Sequence, residues 1–475
     1  MAATVLAGCS VGPDYRPATA TELGAPNAFS VAGNGAAAAD LTRWWTSFDD
    51  PQLAALVEQA RSANLDVAQA VARLRQAREA LVGARADLLP TLSGSGGYNR
   101  SFNVTGGSST ITLPDGTVTS ISRGTGNSFS LGLDAQYQVG LFGEIGRQIE
   151  ATDAQYAASG FDYATVLTSI QAEVARNYVL ARLYQAQLAN ARASLAIQDD
   201  NLEIAGFRVQ AGLVSSLDVE QARAQRAQTA ADIPSIEQAY NQAVSRLGVL
   251  TGRAPGALKP QLAAVRPIPV GPASIGIGIP ADTLRQRPDV RTAERNLAAA
   301  TAPIGVAQAA LYPSLAISGQ INANSNVIGD IFDSITGGLF AGVTQAIFNG
   351  GRLRAAVRSQ RAAADAAFAG YKQTVLIAIE DIENASVALT TARERERQFA
   401  IALDAARNSA ILSRNLYRSG LTDFTTLNTN EAALLSAQNG LTQARADQAT
   451  ALVQLYLALG GGWDPAIVPT APETN

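Results

Sequence analysis

The residues able to carry chemistry are few in this chain of 475 residues. It has no histidine and one cysteine, and its 36 basic residues stand against 40 acidic ones. Imidazole metal ligands and histidine-based triads are therefore excluded, and one cysteine makes neither a Cys-pair zinc site nor an intrachain disulfide. Nucleic-acid-binding proteins normally carry a basic stripe, and the slight negative net charge of this chain gives no sign of one. With no Walker loop either, we expect no metal, no nucleic acid and no enzymatic activity; a carboxylate dyad or a serine–lysine pair is the enzymatic alternative.

Cys9 is the one reactive side chain with a recognisable context. It follows Leu-Ala-Gly and precedes Ser10, a pattern that resembles a bacterial lipobox. By that resemblance, a signal peptidase removes residues 1–8, and acyl chains on Cys9 contribute ~0.8 kcal/mol of membrane attachment per buried methylene. Residues 1–8 are shorter than a complete secretory signal, so they are expected to be its remnant. No cofactor is expected besides this covalent lipid, and the alternative interpretation of Cys9 is a buried structural thiol.

The chain contains two tandem copies of one plan. Residues 64–92 align without gaps to residues 287–315 at an offset of 223, with ten identities. Further along, the offset becomes 208, which pairs Gly212 with Gly420. The predicted organisation is a lipidated extended segment over 9–50, a first repeat over 51–254, a Pro/Gly-rich connector over 255–283, a second repeat over 284–462 and a tail over 463–475.

Each copy carries a long apolar seam with a helical period. Steps of four and three residues from Tyr163 to Val209 meet apolar side chains almost throughout, and the same steps from Tyr371 do so again. A seam of 47 residues corresponds to ~70 Å of helix, a length typical of coiled coils. Because Gly212 and Gly420 follow the two seams, the sequence predicts two antiparallel helical hairpins.

Between the helices the hydrophobic period changes to two, which indicates half-buried strands. Residues 129–139, 315–322 and 339–347 alternate in this way, while 92–104 alternate less cleanly. Strands of ~10 residues cross a bilayer when tilted. No stretch approaches the ~18 apolar residues of a membrane-spanning helix, so a membrane crossing must use these strands. Residues 103–127 are predicted to form a long polar external loop.

Four strands are too few to close a barrel. Two copies would give eight strands, whose side chains nearly fill the interior, whereas three copies give twelve strands and a lumen. A channel therefore favours a homotrimer. The predicted fold class is an α+β membrane protein, with a long α-helical barrel and four strands per chain in a trimeric outer-membrane β-barrel. The alternative is a small soluble sheet that caps the helices.

The stretch from Leu284 to Ser314 resembles the signature of the outer-membrane factors of tripartite efflux systems, specifically the NodT-like lipoprotein branch with a TolC-like fold. Trp44, Trp45 and Phe48 resemble the amino-terminal motif of the same family. The residues that match the family's structural motifs are Pro90, Gly212, Arg287, Pro288, Asp289, Glu294, Pro313 and Gly420.

This resemblance implies a passive trimeric duct that exports small molecules such as drugs. It would lie in the bacterial outer membrane, anchored by lipid on Cys9, with its helical barrel in the periplasm. A periplasmic adaptor and an inner-membrane RND-type transporter would be its partners. The alternatives are an outer-membrane channel of type I protein secretion and a lipid-anchored periplasmic coiled-coil adaptor.

The resemblance also places a gate where the helical hairpins turn, because the duct must be shut at rest. Pairs such as Arg418 with Asp218 are expected to tie neighbouring helices together there. Thr425 and Thr429 stand where relatives often carry a leucine and an aspartate, which alters the expected gate strength and cation preference. The alternative is that these side chains are solvated tip residues. The predicted gate residues are Arg208, Asp218, Tyr417, Arg418, Asp423, Thr425 and Thr429.

Overall fold

The computed structural model describes residues 10–30, 41–102, 104, 108–122, 126–272 and 280–464. Cys9, the predicted signal remnant 1–8 and most of the predicted tail lie outside the described residues. The chain divides into two compact units. The first unit takes the residues up to Arg16, Arg78–Gln155 and Leu297–Ala367, and the second takes Pro17–Ala77, Tyr156–Asn296 and the residues from Phe368 onward.

Helices make up most of the described chain. A short 3-10 helix, Trp44–Phe48, precedes α1, and a second one, Ile328–Asp330, lies between the last two strands. The helices are α1 (Pro51–Ala63), α2 (Leu65–Ala86), α3 (Glu144–Gln210), α4 (Ser216–Leu250), α5 (Lys259–Leu262), α6 (Pro280–Gln286), α7 (Pro288–Ala309), α8 (Arg352–Arg418) and α9 (Phe424–Ala458).

Three pairs of helices have equal lengths at constant sequence offsets. α2 and α7 have 22 residues each and lie 223 positions apart. α3 and α8 have 67 residues each, α4 and α9 have 35 each, and both pairs lie 208 positions apart. These are the offsets at which the sequence aligns with itself.

The predicted helical hairpins are confirmed as α3–α4 and α8–α9. Every seam position from Tyr163 to Val209 in α3, and from Tyr371 to Tyr417 in α8, is buried or half-buried. Many seam residues are alanines, such as Ala181 in α3, which allow helices to approach closely. The seams are thus the faces on which the long helices pack.

The core of the second unit is built around the amino-terminal aromatic residues. Trp44 and Trp45 are almost fully buried, and the Trp44 ring stacks on Tyr456 of α9 with centroids 5.4 Å apart. Asp50 caps α1, since its Oδ1 accepts the backbone N–H groups of Gln52 and Leu53. The motif read from the sequence therefore packs the start of the chain against the last helix.

The four predicted strands are confirmed in the first unit as β1 (Thr91–Ser101), β4 (Gly126–Val139), β5 (Ser314–Ser325) and β6 (Ile335–Thr344). They form one antiparallel sheet in the order β1-β4-β5-β6. Within the long polar loop predicted over 103–127, β2 (Ser108–Thr112) and β3 (Val118–Ser122) pair as a separate hairpin, which the sequence did not predict. None of the helices in the described part of the chain combines the length and apolar character that a bilayer crossing needs.

Candidate functional site

The two helical hairpins turn in the same way. Gly212 and Gly420 both have positive φ angles, 70° and 75°, which glycine adopts without steric cost. After α3, the N–H of Leu213 donates to the carbonyl of Arg208 and that of Gly212 to Val209, as in a Schellman motif. After α8 the same two bonds recur one repeat later. The glycines predicted from the sequence therefore end both long helices.

Arg208 joins the last turn of α3 to the last turn of α8. Its Nη1 donates to the backbone carbonyl of Tyr417 at 2.9 Å. Its guanidinium carbon lies 4.5 Å from the centroid of the Tyr417 ring, in a cation–π contact. Two predicted gate residues thus meet, although the sequence analysis had not paired them with each other.

Tyr417 sits in a small apolar cluster at the tips. It is 1% exposed and packs with Ala222 of α4 and with Phe424 and Leu427 of α9, the Phe424 ring standing edge-on at 5.8 Å. Its hydroxyl is buried and has no hydrogen-bond partner among the described residues. The cluster therefore holds all four long helices through one side chain.

Charges around Tyr417 act on its hydroxyl. Burial raises the pKa of Tyr417; the guanidinium of Arg208 opposes this rise, and the carboxylate of Asp218 reinforces it. Asp218 lies half-buried in the first turn of α4, where a carboxylate also favours the helix dipole. Arg208 and Asp218 thus both act electrostatically on the Tyr417 hydroxyl.

The other predicted gate residues are not members of this apolar cluster. Arg418 is exposed, and the ion pairs of the described chain include neither Arg418 nor Asp218, so the expected tie between them is not formed within one chain. Asp423 caps α9 by accepting the N–H of Thr426 at 2.7 Å, and this backbone hydrogen bond lowers the pKa of Asp423. Thr425 and Thr429 are exposed, and the Thr429 hydroxyl donates to the Thr425 carbonyl.

Ion pairs across the hairpins form a group that the sequence analysis missed. In α8–α9, Arg414 donates two hydrogen bonds to Oε1 of Glu431, at 2.9 and 2.5 Å, and Glu431 is 6% exposed. In α3–α4, Arg192 pairs with Glu237 at 2.7 Å. The partners in each pair are nearly equidistant from the turn of their hairpin, which is the signal in the sequence that predicts them.

Arg287, from the family motif, links three helices of the second unit. Its side chain is nearly buried and donates to both oxygens of Asp289, to Asp381 of α8 and to the carbonyl of Ala458 at the end of α9. Burial lowers the pKa of Arg287, but the hydrogen bonds with Asp289 and Asp381 outweigh it and the net shift is upward. Pro288 occupies the first position of α7. This motif is therefore a structural joint.

Two of the remaining motif residues mark the ends of elements. Pro90 directly precedes β1 and Pro313 directly precedes β5; proline cannot continue a helix and lacks an N–H for the ladder. Glu294 on α7 pairs with the neighbouring Arg295 at 2.6 Å. In the described part of the chain, no group of histidine, cysteine and acidic side chains is arranged to hold a metal ion.

The four-stranded sheet has one apolar and one polar face. On the apolar face, Gly94, Leu133 and Ile321 lie side by side on β1, β4 and β5. In the next row, on the polar face, Ser93, Asp134 and Gln320 lie side by side. Large apolar side chains on the first face are exposed within the chain, among them Leu133 at 50% and Leu339 at 84%. Among the described strands, β1 and β6 each pair on one side only, so the sheet has two open edges.

One protein family matches most of the chain. The family model for outer membrane efflux proteins matches residues 56–253 and 279–461. The chain belongs to the outer membrane efflux protein family. The predicted family, the outer-membrane location and the absence of a role as an enzyme are thereby confirmed.

Relatives and solved structures cover nearly the whole chain. Nodulation protein T of Rhizobium leguminosarum bv. trifolii is 33% identical over 97% of this chain and 96% of its own length. The pyoverdine export outer membrane protein OpmQ of Pseudomonas aeruginosa is 32% identical over 90% of this chain and 88% of its own length. The outer-membrane channel OprN superposes with a TM-score of 0.84 at 33% identity, covering 96% of this chain and all of that one. This outer membrane efflux protein thus shares its fold with channels.

Proposed function

We propose that this outer membrane efflux protein is the passive, homotrimeric exit duct of a tripartite RND-type pump. The observation that carries the proposal is the four-stranded sheet with an exposed apolar face and two open edges. Unpaired backbone groups at sheet edges are not tolerated in hydrocarbon. Pairing β6 of one chain with β1 of the next satisfies both edges, and three chains give twelve strands around a lumen. Two tandem repeats then supply each chain's share of the duct.

The lipid anchor on Cys9 is supported by the residues that follow it. Arg147 is almost fully buried and donates to the carbonyls of Val11 and Gly12 and to the carboxylate of Asp14 at 2.7 Å. Gly12 lies so close to Gly305 that a Cβ on Gly12 would come within 2.4 Å of its Cα. This cradle belongs to the same unit as the strands, so acyl chains on Cys9 would enter the bilayer that the strands cross.

The hairpin tips are the proposed resting gate and adaptor contact. Arg208 and Tyr417 tie α3 to α8 within a chain, while Asp218 and Arg418 remain available for pairing between chains. Leu213 and Leu421 follow the two turn glycines and are 69% and 74% exposed. An adaptor protein that covers these leucines would gain apolar contact at both hairpins and so favour the open arrangement of the helices.

Small molecules are the proposed cargo. Relatives carry names that refer to export of pyoverdine, efflux of toluene and efflux of cations. A passive duct need not bind its cargo, so one fold serves all of these. We infer that the cognate transporter selects what passes.

Two experiments test the proposal. Deleting the gene and profiling susceptibility to drugs, dyes and metals should reveal hypersensitivity that the wild-type gene reverses. Unchanged susceptibility together with loss of a secreted protein would instead favour the type I secretion channel. The purified lipoprotein should form pores in planar bilayers and migrate as a heat-modifiable trimer; a water-soluble monomer without pore activity contradicts the proposal.

A further inference from the structure

The strands of the four-stranded sheet carry two charged side chains, and they lie on opposite faces. In β1, β4, β5 and β6 the charged residues are Arg100 and Asp134. Strand side chains alternate between faces. Arg100 lies an even number of residues from Leu92, and therefore on the apolar face, one residue before the end of β1. Asp134 lies two residues from Gln136, and therefore on the polar face, in the middle of β4.

Asp134 stands among neutral polar side chains. Its cross-strand neighbours are Ser93 on β1 and Gln320 on β5. A Cβ placed on Gly132, the next residue along the same face, would lie 2.8 Å from Ser95 Oγ, 2.8 Å from Asn322 Oδ1 and 3.8 Å from Asp134 Oδ2. The side chains therefore crowd over the glycine, and the carboxylate lies close to the strand surface.

The carboxylate of Asp134 has no cationic partner within the described chain. In the described part of its unit the ion pairs are Arg85 with Asp153 and Arg147 with both Asp14 and Glu150. Asp134 is also exposed. An unpaired, exposed carboxylate on a neutral surface contributes little to folding, and its field acts on the solution in front of it.

We propose that Asp134 sets the ion preference of the barrel lumen and makes it favour cations. The inference rests on the proposed function, because a trimer places three copies of Asp134 at one level around the axis. Rings of acidic side chains favour cations in pores. The polar face offers no charged residue besides Asp134 in these strands, so nothing on that surface offsets the ring.

The size of the effect follows from geometry. Twelve strands spaced ~4.8 Å apart and tilted ~40° give a backbone radius of about 12 Å, so the carboxylates lie about 9 Å from the axis. Three unit charges at that distance in water, screened by a Debye length of ~10 Å at 0.1 M salt, enrich cations over anions on the axis roughly sevenfold. At 1 M salt the Debye length is ~3 Å and the preference falls below about 1.5-fold.

The test is the reversal potential of the lipidated trimer in planar bilayers under a potassium chloride gradient. Asp134→Asn should reduce the cation-to-anion permeability ratio about sevenfold near 0.1 M salt and by less than about 1.5-fold near 1 M. Asp134→Arg should invert the preference toward anions. Asp115→Asn removes the same charge from the turn between β2 and β3 and should leave the ratio unchanged.

Each variant is measured both with the wild-type tip and in an Arg208→Ala background. A closed tip adds its own ion preference to that of the barrel, and opening the tip removes this contribution. A fall in the ratio in either background supports the role of Asp134. An unchanged ratio in both backgrounds overturns it while leaving the duct intact. A chain that forms no pore in any variant overturns the proposed function instead, so the two failures are distinct.

Discussion

Removing Arg208 should open the tip of the duct. The contact between Arg208 and Tyr417 combines a hydrogen bond from a charged donor at 2.9 Å with a cation–π contact at 4.5 Å. Such a hydrogen bond contributes about 1.5–3 kcal/mol and a half-exposed cation–π contact about 0.5–1 kcal/mol. Because the two contacts share one side chain, we take their joint contribution to the closed state as about 2 kcal/mol per protomer. Losing it shifts the closed-to-open equilibrium of that protomer about 30-fold.

Single-channel recording of the purified trimer in planar bilayers measures this shift. Arg208→Ala should raise the conductance and the fraction of time spent open, and Arg208→Lys should give an intermediate result because lysine keeps the charge but not the planar stacking. Arg223→Ala is the matched control, since Arg223 is an exposed arginine that pairs within α4 with Glu220. If Arg208→Ala conducts no better than Arg223→Ala, the tie between α3 and α8 does not hold the duct shut.

Three further predictions follow from the tips and the core. Replacing Asp218 and Arg418 together by alanine should also raise conductance, as these groups are unpaired within a chain; unchanged conductance rejects a latch between protomers. Arg287→Met should lower the free energy of unfolding by about 3 kcal/mol, measured by denaturant titration, because Asp289 loses its cation; a loss below about 0.5 kcal/mol argues against the joint. Burial raises the pKa of Tyr178 from 10.0 to about 12, so stability is complete below pH 10 and declines as pH rises toward 12, by roughly 2–3 kcal/mol. Tyr178→Phe should flatten that alkaline decline.

The sequence predicted those elements whose hydrophobic period is long and unbroken. The seams beginning at Tyr163 and Tyr371 identify the packed faces of α3 and α8, and Gly212 marks the end of α3, because helical period and left-handed glycine are local properties. The strand at 129–139 was equally clear. The hairpin of β2 and β3 was missed because residues 108–122 are mostly polar and lack an apolar face that alternates.

The candidate site was predicted as a list of residues and not as a set of contacts. Arg208 and Tyr417 were both named, but their pairing depends on how α3 packs against α8, which no local pattern encodes. The pair of Arg414 with Glu431 was missed although the two residues are nearly equidistant from the turn between α8 and α9. In an antiparallel hairpin that symmetry brings opposite charges together, so it is a usable signal.

In the proposed trimer, β6 of one chain pairs with β1 of the next in a ring of three. Disulfide trapping tests it directly: Ser95→Cys on β1 is combined in turn with Thr336→Cys, Gly338→Cys and Phe340→Cys on the polar face of β6, and outer membranes are oxidised before electrophoresis. At least one pair should yield cross-linked dimers and trimers with no larger species, because the ring closes at three. Absence of cross-links across the whole scan, or a ladder that stops at two or continues beyond three, would contradict it.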